Sequence, residues 1–128
     1  MSIDTKSLGD AGEQFVVDYL QQQGFKVCAQ NYRKFFGEID IIACKKNLYV
    51  FVEVKTRKSD AMPMGQLISK SKQDKVIKTA QTFIAEKQLF DKIFRFDVAL
   101  LVKNDVSFAM DYIENAFVKN EDDGYNFY

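Results

Sequence analysis

Apolar residues at the start of the chain recur at three- and four-residue steps. Leu8, Ala11, Gly12, Phe15, Tyr19 and Leu20 fall on one stripe, which predicts an amphipathic helix over residues 8–23. Ser7 with Asp10 resembles a capping box, and Gly24 suits a C-terminal stop. Glu13 lies at the edge of the stripe, looking along the boundary between core and cleft. The period then drops to two. Residues 25–29, 38–44 and 49–55 read as strands, with 31–36 a turn carrying Arg33 and Lys34. The short link 45–47 makes the second and third strands an antiparallel hairpin. Residues 56–69 hold the only proline, Pro63, together with Gly65, and read as a loop. Val76, Ile77, Ala80, Phe83 and Ile84 mark the buried face of a second helix over 73–87, with Ser71 and Asp74 suited to cap it. Residues 94–102 form a strongly apolar strand, and 106–112 return beside it. The order α-β-β-β-α-β-β predicts an α/β fold with a mixed sheet flanked by helices. Residues 1–120 read as one domain and 121–128 as a flexible acidic and aromatic tail.

Composition narrows the chemistry. A chain of 128 residues fits one domain, and 47% hydrophobic residues allow a core without staples. No apolar run approaches the roughly 20 residues that span a bilayer. The first residues lack the apolar stretch of a signal peptide, so a cytoplasmic protein without membrane contact is expected. Cys28 and Cys44 form no C-x-x-C pair and read as two buried, reduced thiols. The sequence contains no histidine. That removes Ser-His-Asp and Cys-His nucleophilic systems and His-ligated zinc. Hydrolytic chemistry would have to use carboxylates, lysine and a hard metal ion.

The net charge is zero, but its distribution is uneven. Residues 55–78 carry Lys55, Arg57, Lys58, Lys70, Lys72, Lys75 and Lys78 against Asp60 and Asp74. A charge run of this kind is commonly a solvated face. Its position after the third strand gives it more interest. Alternation along that strand sends Val50, Val52 and Val54 one way and Tyr49, Phe51, Glu53 and Lys55 the other. On the second strand Glu38, Asp40 and Ile42 share a face, and the hairpin can bring Asp40 beside Glu53. Two carboxylates and an ammonium are costly to bury without a purpose. Paired carboxylates offer oxygen ligands to Mg²⁺ or Mn²⁺, which can polarise a phosphoryl oxygen and acidify a bound water. The plainer reading of Glu53 and Lys55 is a half-exposed ion pair worth about 0–1 kcal/mol.

Gly37-Glu-Ile-Asp40 followed by Phe51-Val-Glu-Val-Lys-Thr-Arg57 resembles the PD-(D/E)-x-K nuclease core. More narrowly, the chain resembles the bacterial YraN family, whose fold is restriction-endonuclease-like. Leu8-Gly9 with Gly12-Glu13, Gly24-Phe25, Asn31-Tyr32-Arg33, Lys72-Gln73, Arg95-Phe-Asp-Val98 and Asn115-Ala-Phe117 match in order, from about residue 8 to 117. The resemblance implies that Asp40 and Glu53 are metal ligands completed by the Val54 carbonyl, with Lys55 the catalytic lysine. It likens Glu13 to the helix-one acid of similar Holliday-junction resolvases, and sets Lys72 and Gln73 near phosphate. Arg95 and Asp97 read as a structural pair. The stretch from Gly65 to Lys72 is shorter than is usual in the family.

These readings lead to a Mg²⁺- or Mn²⁺-dependent endonuclease acting on DNA, with branched or structured DNA and a homodimer expected by analogy. Arg57, Lys58, Lys70, Lys72, Gln73 and Lys75 would bind the nucleic acid. The alternatives are a nucleic-acid-binding module without turnover and a partner-binding subunit that keeps only the fold.

Overall fold

The computed structural model describes residues 5–58 and 68–119. Two helices and five strands follow in the order α1 (Thr5–Gln22), β1 (Lys26–Lys34), β2 (Gly37–Lys45), β3 (Leu48–Arg57), α2 (Lys70–Lys87), β4 (Ile93–Lys103) and β5 (Phe108–Phe117). This is the expected α-β-β-β-α-β-β order. The strands form one mixed sheet in the order β1-β2-β3-β4-β5. Hairpins join β1 to β2, β2 to β3 and β4 to β5, while α2 carries the chain from β3 to a parallel β4. No helix among the described residues is long and apolar enough to cross a membrane.

The two helices cover opposite faces of the sheet. Val16, Val17 and Leu20 of α1 pack with Ile41, Ala43, Val50, Val52, Ala99 and Leu101. Val76, Ile77, Ala80, Phe83 and Ile84 of α2 pack with Ile39, Ile42, Phe51, Phe96, Val98 and Leu100. The alternation expected of the third strand holds: Val50, Val52 and Val54 face α1, and Tyr49 and Phe51 face α2. Covered on both sides, β4 is buried continuously from Phe96 to Leu101, as a central parallel strand must be. Phe51 anchors the α2 side, with Phe96 stacked at 5.5 Å and Phe83 edge-on at 6.2 Å between centroids.

Several local expectations are corrected. β1 runs on through residues 31–34, which read as turn; Tyr32, Arg33 and Lys34 pair with Ile39, Glu38 and Gly37. Polar sequence hid this strand because it lies at the sheet edge, where one side of each residue meets water. For the same reason Cys28 is exposed and Cys44 only half-buried; the free thiols sit 3.3 Å apart beside a bulge between Val27 and Ala29. Helix α1 begins at Thr5, so Ser7 lies inside it and is not its cap. The cap of α2 is Ser69, whose hydroxyl accepts from the Lys72 amide at 3.1 Å, and Ser71 is already helical. Residues 59–67 and the tail from 120 onward lie outside the described residues.

Two close approaches set the helices on the sheet. A Cβ on Gly12 would stand 2.2 Å from Thr56 Oγ1 and 3.1 Å from Leu101 Cδ1, so α1 rests directly on β3 there. A Cβ on Gly37 would meet Thr79 Oγ1 at 2.5 Å and the Lys75 carbonyl at 2.9 Å, so the start of β2 lies against α2. Both contacts fall at the end of the sheet that holds Asp40 and Glu53.

The far part of the sheet is fixed by Asp97, which is fully buried. Its carboxylate accepts two bonds from Arg95 at 2.9 Å, one from Tyr112 Oη at 2.6 Å and one from the Asn115 amide at 2.9 Å. These bonds span a register shift between β4 and β5, where Asn115 takes a left-handed φ of 53°. The structural pair expected of Arg95 and Asp97 is therefore a four-bond clamp.

Gly12→Ala is expected to destabilise the fold by about 1–3 kcal/mol through overpacking, and Thr56→Ala on that background to recover much of the loss. Denaturant midpoints of the two variants check this; equal midpoints would remove Thr56 as the obstacle. Asp97→Ala is expected to cost about 3–5 kcal/mol, because it leaves a partly buried guanidinium without its carboxylate. A loss under ~1 kcal/mol in the same titration would show the clamp to be dispensable.

Candidate functional site

The β2–β3 ladder stops short of the hairpin's open end. Backbone pairing runs from Lys45↔Leu48 to Ile41↔Val52, and one residue further on a side chain takes over. Asp40 Oδ2 accepts the Val54 amide at 2.8 Å. The carboxylate thus stands where a neighbouring carbonyl would otherwise be, and the alternation of β2 breaks: Ile39 and Ile42 both face α2 while Ile41 faces α1.

Glu53 lies next to Asp40, as the hairpin register predicts, and their carboxyl groups are hydrogen-bonded. Glu53 is 3% exposed, and its Oε1 is buried without a hydrogen-bond partner. Burial first, then the Asp40 charge, pushes the Glu53 pKa up to about 9. Burial also raises Asp40, against the lowering effect of the Val54 amide and Lys72. Two such groups side by side each disfavour ionisation of the other.

The ammonium that meets this pair belongs to Lys72. Its Nζ is 3.8 Å from Glu53 Oε2. Lys72 sits in the first turn of α2, which contains no acidic residue, so its charge opposes the helix macrodipole. Glu53 offsets that. Lys55 is exposed two residues beyond Glu53 on β3. The ion pair that the plainer reading of the sequence gave to Glu53 and Lys55 is made by Glu53 with Lys72. An extended strand turns the amide and carbonyl of one residue toward the same neighbour, so the Val54 carbonyl faces the Asp40 side.

Glu13 comes in from α1. Its Oε2 accepts from Asn31 Nδ2 at 3.3 Å, and partial burial followed by the Asp40 charge raises its pKa. Asn31 stands on β1 between residues paired with Ile41 and Ile39, which sets it across from Asp40, and it has a left-handed φ of 51°. Sequence reasoning gave Asn31 no role; its signal was the asparagine itself, tolerant of that conformation and placed among the matching residues. Glu38 is engaged by Arg33, whose Nε donates at 2.6 Å. It still adds to the negative field at Asp40 and Glu13.

The other candidates spread around this centre. Arg57 ends β3, with Lys58 exposed after it. Lys70 pairs with Asp74 at 2.7 Å, and Lys75 is exposed on α2. Gln73 turns its amide back to the Ile68 carbonyl at 3.0 Å, where it holds the entry to the helix.

The raised carboxyl of Glu53 makes stability depend on pH. Below the ordinary value of 4.5 the folded and unfolded chains both hold the proton; from there to about 9 only the folded chain keeps it. Stability is therefore lost as pH rises through that window. In chelator, the melting temperature of the wild type is expected to fall across the window more steeply than that of Glu53→Gln, which should be several degrees more stable near its upper end. Parallel curves for the two proteins would contradict the shift.

The model of an uncharacterised protein family, UPF0102, matches residues 12–101. A UPF0102 protein of Alkaliphilus metalliredigens is 41% identical over 114 residues, covering 88% of this chain and 99% of the relative. One from a Sulfurihydrogenibium species is 45% identical over 116 residues, covering 90% and 97%. One from Dictyoglomus turgidum is 39% identical over 119 residues, covering 90% and 100%. The matched segment contains Glu13, Asp40, Glu53, Lys55 and Lys72. The chain belongs to the UPF0102 family, to which the YraN resemblance of its motifs had pointed.

Proposed function

We propose that this protein is a cytoplasmic metal-dependent endonuclease that hydrolyses phosphodiester bonds in DNA. The observation that carries the reading is the buried Glu53 beside a half-buried Asp40, with Lys72 Nζ 3.8 Å from Glu53 Oε2 and Glu53 Oε1 lacking a partner. A fold keeps a buried carboxyl group with an orphaned oxygen beside a second, half-buried one at a cost that structure alone does not return.

The donor set fits a hard divalent cation. Among the described residues no three acidic or thiol side chains converge to enclose an ion. Asp40, Glu53 and the Val54 carbonyl would supply a sparse oxygen set, which suits magnesium because it keeps several of its waters. Mg²⁺ or Mn²⁺ bound there would acidify a water and draw charge from the scissile phosphate. Asp40 is held in place by the Val54 amide, so its other oxygen has a fixed direction. Glu53 would give up its proton on binding and gain a partner for Oε1. Hydrolysis forms a bond from a water oxygen to phosphorus and breaks the bond to the leaving strand, whose oxygen takes a proton. Lys72 and Lys55 would offset charge on the phosphate oxygens. Glu13 would accept a hydrogen bond from the incoming water. Arg57, Lys58, Lys70 and Lys75 would hold phosphates on either side, with Gln73 fixing the helix entry that presents them. Branched DNA and a homodimer remain part of the proposal by analogy alone.

Lys55 is exposed and the ammonium that meets Glu53 is that of Lys72, which favours the second reading of binding without turnover. One experiment separates the two. A labelled panel of four-way junction, flap, single strand, duplex and RNA is incubated with Mg²⁺, Mn²⁺ or EDTA. Cleavage is expected with metal only, falling to background in Asp40→Asn and Glu53→Gln and by roughly 100-fold in Lys72→Ala. The metal should also raise the melting temperature of the wild type but not of Asp40→Asn. Binding of the panel without cleavage or metal stabilisation would give the binding module its place.

A further inference from the structure

The β1–β2 hairpin turns through two phenylalanines. Lys34 pairs with Gly37, leaving Phe35 and Phe36 as a two-residue loop. Such loops select Asn-Gly or Gly-X because their backbones need positive φ. Neither phenylalanine has a positive φ, so turn geometry gives no reason for aromatic residues here. Nor does the core: Phe35 is 100% exposed. Its ring meets that of Phe36 edge-on at 5.1 Å, and Lys78 Nζ lies 4.7 Å from the Phe36 centroid.

These rings and α2 border an open groove of about 720 Å³ lined by Phe35, Phe36, Ser71, Asp74, Lys75 and Lys78. The groove is next to the acidic site. Lys72, which reaches Glu53, neighbours Lys75 on the helix surface, and Gly37 packs on the Lys75 carbonyl. From Gly37 to Asp40 is three strand residues, or about 10 Å. That is about three base steps of a duplex strand, at roughly 3.4 Å each, and fewer of an extended single strand.

A bare aromatic face with ammonium groups around it complements a nucleobase with its phosphates. We propose that Phe35 stacks an unpaired base of a bound strand, while Lys75 and Lys78 hold the neighbouring phosphates. The protein would thereby favour single-stranded, gapped or branched nucleic acid over uninterrupted duplex. A protein partner fits less well, since two rings among lysines make a small apolar contact. The inference rests on the nucleic-acid part of the proposed function and not on its cleavage step.

The test is binding in EDTA, where no strand is cut. Phe35→Ala is expected to weaken binding to single-stranded and gapped DNA by roughly tenfold and to leave blunt duplex unchanged. Phe35→Trp should restore it. A single strand carrying 2-aminopurine should lose fluorescence on binding wild type and Phe35→Trp, but not Phe35→Ala. Equal losses on duplex and single strand, or no loss on either, would overturn the proposal. So would Phe35→Ala changing the sedimentation of the free protein alone, which would assign the tip to protein contact. A wild type that binds nothing overturns it together with the nucleic-acid reading. A wild type that passes these tests yet never cuts with metal sinks only the nuclease reading.

Discussion

The site depends on one hydrogen bond, from the Val54 amide to Asp40 Oδ2. It ends the β2–β3 ladder by replacing a backbone carbonyl with a carboxylate. A sheet tolerates this because the amide stays satisfied, and buried amides must be. The replacement brings a negative charge into the plane of the sheet beside Glu53. That charge adds to burial in raising the Glu53 carboxyl, and it draws Lys72 toward the pair against its own helix dipole. Removing the carboxylate would leave Val54 short of a partner and Glu53 short of a neighbour at once.

The helices bring their contributions to this point by contact rather than by reach. Gly12 lets α1 lie on Thr56, one residue before Glu13. Gly37 lets β2 touch α2 between Lys75 and Thr79, and Thr79 Oγ1 then donates to the Lys75 carbonyl at 2.7 Å. Both glycines are fixed by what stands opposite, and each belongs to the residues immediately before an acid of the site.

The fold and the acidic pair were legible for a simple reason. Val50, Val52 and Val54 alternate with Phe51 and Glu53, and the short link of Lys46 and Asn47, one residue shorter than expected, fixes the register that puts Asp40 across from Glu53. What stayed hidden was carried by partners distant in sequence. Lys72 reaches Glu53 only because the crossover returns α2 to that end of the sheet, and no local pattern encodes this. The second half of β1 was masked by its polar residues, whose value lies in pairs such as Arg33 with Glu38. Ser69 and Ser71 offered two adjacent caps, and local sequence does not choose between them. Asp97 read as one half of an ion pair, whereas its bonds to Tyr112 and Asn115 depend on a strand register that a bulge displaces.

The two outer strands share a further property. β1 is interrupted by its bulge at Val27–Ala29 and by the left-handed Asn31, and β5 by the shift opposite Asp97 and the left-handed Asn115. An uninterrupted rim of amides and carbonyls is a template on which another chain can grow as a new strand. Here each rim is bent out of line partway along. Continuation of the sheet from molecule to molecule is disfavoured on both sides, and the bulges that shape the interior also keep the polypeptide from polymerising through its margins.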